Sequence, residues 1–134
     1  MKIAPRLLSE IVAHALEDPH NEVCGVLAVD GAQAPRAVRV LRARNAHASP
    51  LKFEIAPKEL LALSNACEEL GRLGAIYHSH VRSKPYPSQT DINFATNWPG
   101  VEWVIVGLAA GSEPEVRSYL IEDGEVREVP LEVG

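Results

Sequence analysis

Residues 22–45 read EVCGVLAVDGAQAPRAVRVLRARN. EVCGVLAVDG has the apolar, β-branched run of a strand closed by Asp30-Gly31, and RAVRVLRARN alternates as a second strand. Two strands in direct succession favour a mixed sheet over a doubly wound parallel one, where a helix would follow each strand. Working outward, residues 5–17 place Leu7, Leu8, Ile11, Val12, Ala15 and Leu16 at helical spacing, with Pro5 in the first turn and Pro19 beyond the end. Downstream, LKFEI (51–55) reads as a third strand, and PKELLALSNACEELG (57–71) as a helix with Pro57 near its start and Gly71 just past its end. LGAIYHS (73–79) is a fourth strand, SQTDINFATNW (88–98) a short helix and VEWVIVGLA (101–109) a buried strand. RSYLIEDGEVREVPL (117–131) is a hairpin turning at Asp123-Gly124. The expected class is α/β (α+β), one domain over residues 1–134, with helices flanking a mixed sheet.

Composition narrows the function. With 46% hydrophobic residues, the chain can bury a core without staples. The net charge is −5 and no Lys/Arg run exceeds two residues, which argues against nucleic acid as the main partner. Arg36, Arg39, Arg42 and Arg44 read as solvent-facing strand residues or as a local basic patch. Cys24 and Cys67 follow no metal or redox spacing. No apolar run approaches the ~18 residues of a membrane span, and residues 1–23 carry charges inside their apolar pattern, which a signal peptide would lack. The expectation is a soluble, cytoplasmic protein with no membrane partner. Phosphate-binding glycine loops, a nucleophile elbow and His-Glu-x-x-His are all missing from the sequence.

Chemistry concentrates in AIYHSHVRSKPYPSQTD, residues 75–91. Side chains two apart in a strand share a face, so His78 and His80 aim two imidazoles at one point. They are either metal ligands or a pair that packs at a strand edge. Ser88 and Asp91 lie three apart at a helix start, as a capping box or with Asp91 as a third, oxygen ligand. Two His and one carboxylate leave a fourth position open, the pattern of catalytic zinc. Glu22 opens an apolar strand, either as a solvated end residue or as a general base. Cys24 is read as core rather than as a soft ligand.

Together these residues, Glu22 and then His-Ser-His, seven residues, Ser88, two residues and Asp91, resemble the signature of the JAMM (MPN+) metalloprotease family. NEVCGVL, FEIAP and VEWVIVGL resemble that family's core segments, so the resemblance spans most of residues 5–121. Ala56 departs from it, since members often carry an acidic residue there. The resemblance implies a cytidine-deaminase-like MPN architecture, Zn²⁺ held by His78, His80 and Asp91, Glu22 as general base to a zinc-activated water, and Ser88 as oxyanion donor. It also implies hydrolysis after the C-terminal glycine of a ubiquitin-like protein. The compact chain is most similar to small stand-alone prokaryotic members, in particular the branch acting on sulfur-carrier (CysO-cysteine type) proteins. The implied partner is therefore a β-grasp sulfur-carrier protein with a Gly-Gly tail, met by a monomer or weak homodimer. Two alternatives are an isopeptidase removing ubiquitin-like modifiers from proteins and a non-catalytic MPN scaffold. A zinc nucleotide deaminase would show His-x-Glu with Pro-Cys-x-x-Cys, which the sequence lacks.

Overall fold

The structure, a computed structural model, describes residues 1–109 and 113–134. Its elements run β1 (Lys2–Ile3), α1 (Pro5–Glu17), β2 (Cys24–Val29), β3 (Ala37–Ala43), α2 (Pro57–Leu70), β4 (Arg72–His80), α3 (Gln89–Ala95), β5 (Glu102–Gly107), β6 (Glu115–Glu122), β7 (Glu125–Val129) and β8 (Glu132–Val133). Strands β2 to β7 form one six-stranded sheet in the order β3-β2-β4-β5-β6-β7. Within this sheet β4 and β5 pair parallel, with α3 in the crossover between them, and the other neighbours are antiparallel. The sheet is mixed, as two strands in direct succession predict.

Alternation along the strands divides the apolar side chains between two layers. On one face, Leu7, Ile11 and Ala15 of α1 pack with Leu27, Ala75, Tyr77, Val104 and Val106. On the other, Leu60 and Cys67 of α2 and Ala95 of α3 pack with Val26, Ile76, Trp103 and Ile105. Strands β2 and β4 are therefore covered on both faces, and His78 and His80 stand in the layer shared with α2 and α3. The β6–β7 turn places both Asp123 and Gly124 at positive φ, 52° and 78°, the primed geometry that matches the twist of a two-residue hairpin.

Two features depart from the sequence reading. LKFEI is not a strand: residues 51–55 have no ladder partner among the described residues. Its alternation reflects the burial of Phe53 and Ile55 against the α2/α3 layer. Its backbone bonds instead to the Asn45 side chain and to Ala46. The short strands β1 and β8 were not expected. They pair in parallel, Lys2 with Glu132 and Ile3 with Val133, in segments too short to carry a periodicity. Among the described residues no helix is long and apolar enough to cross a membrane. Cys24 and Cys67 are both free and buried.

Candidate metal centre

The site forms where β4 ends and α3 begins. His78 and His80 project from one face of β4, and eight of that strand's nine residues, all but Arg72, are buried. Ser88 caps α3: its Oγ accepts the Asp91 N–H at 3.1 Å, and Asp91 Oδ2 accepts the Ser88 N–H at 2.9 Å. This reciprocal box satisfies two of the helix's orphan donors and fixes the Asp91 rotamer. The same Oδ2 lies 3.1 Å from His78 Nε2 and 3.3 Å from His80 Nε2, and the two Nε2 atoms are 3.1 Å apart. Capping and convergence on the histidines are thus performed by one oxygen, so the two sequence readings of Asp91 hold together.

These three atoms suit a metal ion. Ligands held tetrahedrally at ~2.0–2.1 Å stand about 3.3–3.4 Å from one another, and the observed edges need open by only tenths of an ångström. The tautomers agree as well. His80 Nδ1 donates to the Lys84 carbonyl at 2.8 Å, which leaves its Nε2 lone pair facing the triangle. His78 is fully buried, and its Nδ1 has no hydrogen-bond partner among the described residues. The Phe53 ring stacks on His78 at a centroid distance of 4.4 Å and holds it flat. Two imidazoles and a carboxylate so arranged, with no Lys or Arg salt bridge to Asp91 among the described residues, present a dense set of lone pairs that a cation would satisfy.

The electrostatics follow from burial and contact. Burial is the largest influence on Asp91 and opposes its charge, yet His78, His80 and the Ser88 N–H outweigh it and hold the carboxyl far below its usual range. Burial holds His78 below an ordinary imidazole. It acts the same way on His80, where Asp91 and the Lys84 carbonyl overcome it and raise the ring's pKa.

Strand register locates Glu22. Cys24 pairs with His78 across β2 and β4, and one residue further the Ser79 N–H donates to the Val23 carbonyl at 3.1 Å. Extending that register one more step brings Glu22, two residues before β2, toward His80, whose charge acts on its carboxyl. Glu22 is only 5% exposed, and burial pushes its carboxyl up to about 8, with the His80 charge pulling the other way. No described residue hydrogen-bonds its carboxylate. Ser79 is structural: its Oγ accepts the Val23 N–H at 2.9 Å. Burial pushes the Cys24 thiol up to about 12, so it stays protonated and in the core.

Several contributors carried no motif. The Lys84 carbonyl orients His80 through the backbone, which no side chain in the sequence signals. Its loop is held by Tyr119, whose hydroxyl donates to the Pro85 carbonyl. It also packs on Gly107, where a methyl would stand 2.7 Å from Pro85 Cδ. Phe53 was visible only as part of an expected strand.

Comparison with known proteins agrees with this geometry. The chain is 38% identical over 129 residues to the CysO-cysteine peptidase of Mycobacterium tuberculosis, covering 95% of this chain and 86% of that protein. It is 31% identical over 133 residues to a desampylase of Pyrococcus furiosus, covering 98% and 89%. A solution structure of a Desulfitobacterium hafniense protein superposes with a TM-score of 0.86 at 28% identity, over 100% of this chain and 93% of the other. Residues 4–122 match the family of prokaryotic homologs of the JAB domain, and the chain belongs to that family.

Proposed function

We propose that this protein is a zinc-dependent peptidase that hydrolyses the amide bond after the C-terminal glycine of a ubiquitin-like, sulfur-carrier β-grasp protein. The observation that carries this reading is the convergence of His78 Nε2, His80 Nε2 and Asp91 Oδ2 to within 3.3 Å of one another, with the buried Glu22 carboxyl within reach of the His80 charge. His78, His80 and Asp91 hold the zinc. When bound, zinc supplies a Lewis acid that makes water nucleophilic at neutral pH. Glu22 takes the proton of the attacking water and passes it to the leaving nitrogen as the C–N bond breaks. The products are the carrier's glycine carboxylate and a free amine. Ser88 Oγ already accepts the Asp91 N–H, so its own proton is free to donate to the oxyanion that forms at the carbonyl carbon.

Support for a sulfur-carrier adduct comes from the likeness to the M. tuberculosis CysO-cysteine peptidase. The likeness to a desampylase supports a second reading, an isopeptidase that frees ubiquitin-like modifiers from proteins. The proposed setting is the cytoplasm, with the enzyme a monomer or weak homodimer.

The test incubates the zinc-loaded protein with two substrates: a Gly-Gly-terminated β-grasp carrier bearing a C-terminal cysteine, and the same carrier linked to a lysine side chain. Mass spectrometry reads the products. Trimming of the cysteine adduct after glycine is expected. Cleavage of the lysine conjugate alone transfers the function to the second reading. Cleavage of neither, by a protein that takes up no zinc, returns it to a binding scaffold.

A further inference from the structure

The Glu22 carboxylate takes no hydrogen bond from any described residue, so its aim is set by its own peptide. That peptide is tied on both sides. Its N–H donates to the Ser49 carbonyl at 2.8 Å, and its carbonyl accepts from Asn45 Nδ2 at 3.0 Å. Asn45 sits where the β2–β3 register, extended two residues past Cys24 and Ala43, falls opposite Glu22.

Asn45 does more than close a ladder. Its Nδ2 also donates to the Lys52 carbonyl at 3.0 Å, and its Oδ1 accepts the N–H groups of His47 and Glu54 at 3.0 and 3.1 Å. One amide therefore satisfies four backbone groups and folds residues 46–54 into a closed loop. That loop returns to Glu22 through Ser49 and to His78 through the Phe53 ring. No other side chain of the described residues hydrogen-bonds to both the Glu22 peptide and this loop. Both amide atoms are needed, the nitrogen for Glu22 and Lys52 and the oxygen for the turn, so neither Asp nor Ser can replace it fully.

We infer that Asn45 is the positioning residue of Glu22, fixing the peptide from which the carboxylate reaches the reacting water. The inference rests on the proposed role of Glu22 as base. Asn45→Asp keeps size and the acceptor oxygen while removing the donor. It is expected to lower kcat about 10²-fold, the cost of misplacing a reacting group by roughly 1 Å. KM for the carrier–cysteine adduct and zinc stoichiometry stay unchanged. Asn45→Ser is expected to do the same and serves if Asn45→Asp does not fold.

A scaffold role would lower activity too, so the deciding readout is a double-mutant cycle with Glu22→Asp, which keeps a carboxylate but withdraws it by one methylene. If Asn45 acts through Glu22, the double variant loses clearly less than the product of the single losses. Multiplicative losses, an unchanged kcat or a loss of zinc would each overturn the inference. Glu22→Gln separates the two levels. Full activity in that variant removes the base itself, whereas an inactive Glu22→Gln with a multiplicative cycle removes only Asn45.

Discussion

The His80 charge acts on the Glu22 carboxyl: Glu22 lies two residues before β2 and His80 ends β4, one step beyond the hydrogen bond from the Ser79 N–H to the Val23 carbonyl. The proposed base thus lies on a different segment of the chain from the histidines, and removing its charge is expected to leave the donor triangle intact. Glu22→Gln is expected to bind zinc with wild-type stoichiometry while its kcat falls by about 10²–10⁴, the range for loss of a general base. Metal analysis beside a single-turnover assay checks both halves. Loss of zinc in this variant would make Glu22 a ligand rather than a base.

Burial of the same carboxyl gives the metal-free protein a pH signature. Its folded pKa, about 8, lies above the ordinary 4.5, so between those values the folded state holds a proton that the unfolded chain has released. Stability then falls as pH rises through that window and levels off above it. The buried neutral His78 acts in the opposite sense, so the informative quantity is the wild type minus Glu22→Gln. In EDTA, that difference in melting temperature should decline from pH 5 to pH 8. A flat difference would show that Glu22 ionises normally.

Ser88 is an observed helix cap and the proposed oxyanion donor, two separable tasks. Its Oγ caps α3, and its hydroxyl proton is available to the reaction. Ser88→Ala should lose about 1 kcal/mol of stability as a cap and about 10²–10³ in kcat as an oxyanion donor. Ser88→Gly should recover stability to within a few tenths of a kcal/mol yet remain as slow as Ser88→Ala. If Ser88→Gly regains the rate together with the stability, Ser88 acts only as a cap.

Much of this site could be read from the chain because its parts are local. The two-residue period of a strand puts His78 and His80 on one face, and a helix start brings Ser88 and Asp91 within a turn. The Asp123-Gly124 hairpin is equally local. Glu22 was nameable from the family signature, but its placement depends on register, which the sequence does not encode in any short window. LKFEI misled because Phe53 and Ile55 alternate like a strand while the Asn45 amide takes the backbone bonds of Lys52 and Glu54. The Lys84 carbonyl is invisible to any motif, being backbone. β1 and β8 are two-residue strands held by a long-range pairing.

The loop carrying Lys84 is expected to govern metal affinity without supplying a ligand. Gly107 admits Pro85, and Tyr119 holds the Pro85 carbonyl. Gly107→Ala sets a methyl 2.7 Å from Pro85 Cδ and 3.2 Å from its nitrogen, so the loop must shift and His80 Nδ1 loses its partner. Zinc affinity should fall about 10–100-fold, as for other outer-shell partners, and Tyr119→Phe should fall in the same direction by less. Chelator competition measures both. Unchanged affinity in Gly107→Ala would show that His80 keeps its orientation without Lys84.

Ala56 offers the opposite test, a gain. It is the N-cap of α2, with φ −55° and ψ 140°, and makes no side-chain cap hydrogen bond. Pro57 has no N–H, and the N–H groups of Lys58 and Glu59 lack a side-chain acceptor from the cap. An aspartate there accepts from the N2 or N3 N–H and places negative charge at the positive end of the helix dipole. Ala56→Asp is expected to stabilise the fold by about 1 kcal/mol, raising Tm by roughly 3–4 °C in a domain of this size. Activity and zinc affinity should not move, because α2 meets the site only through packing. A higher Tm accompanied by changed kcat would place this position in the substrate's path rather than at a helix end.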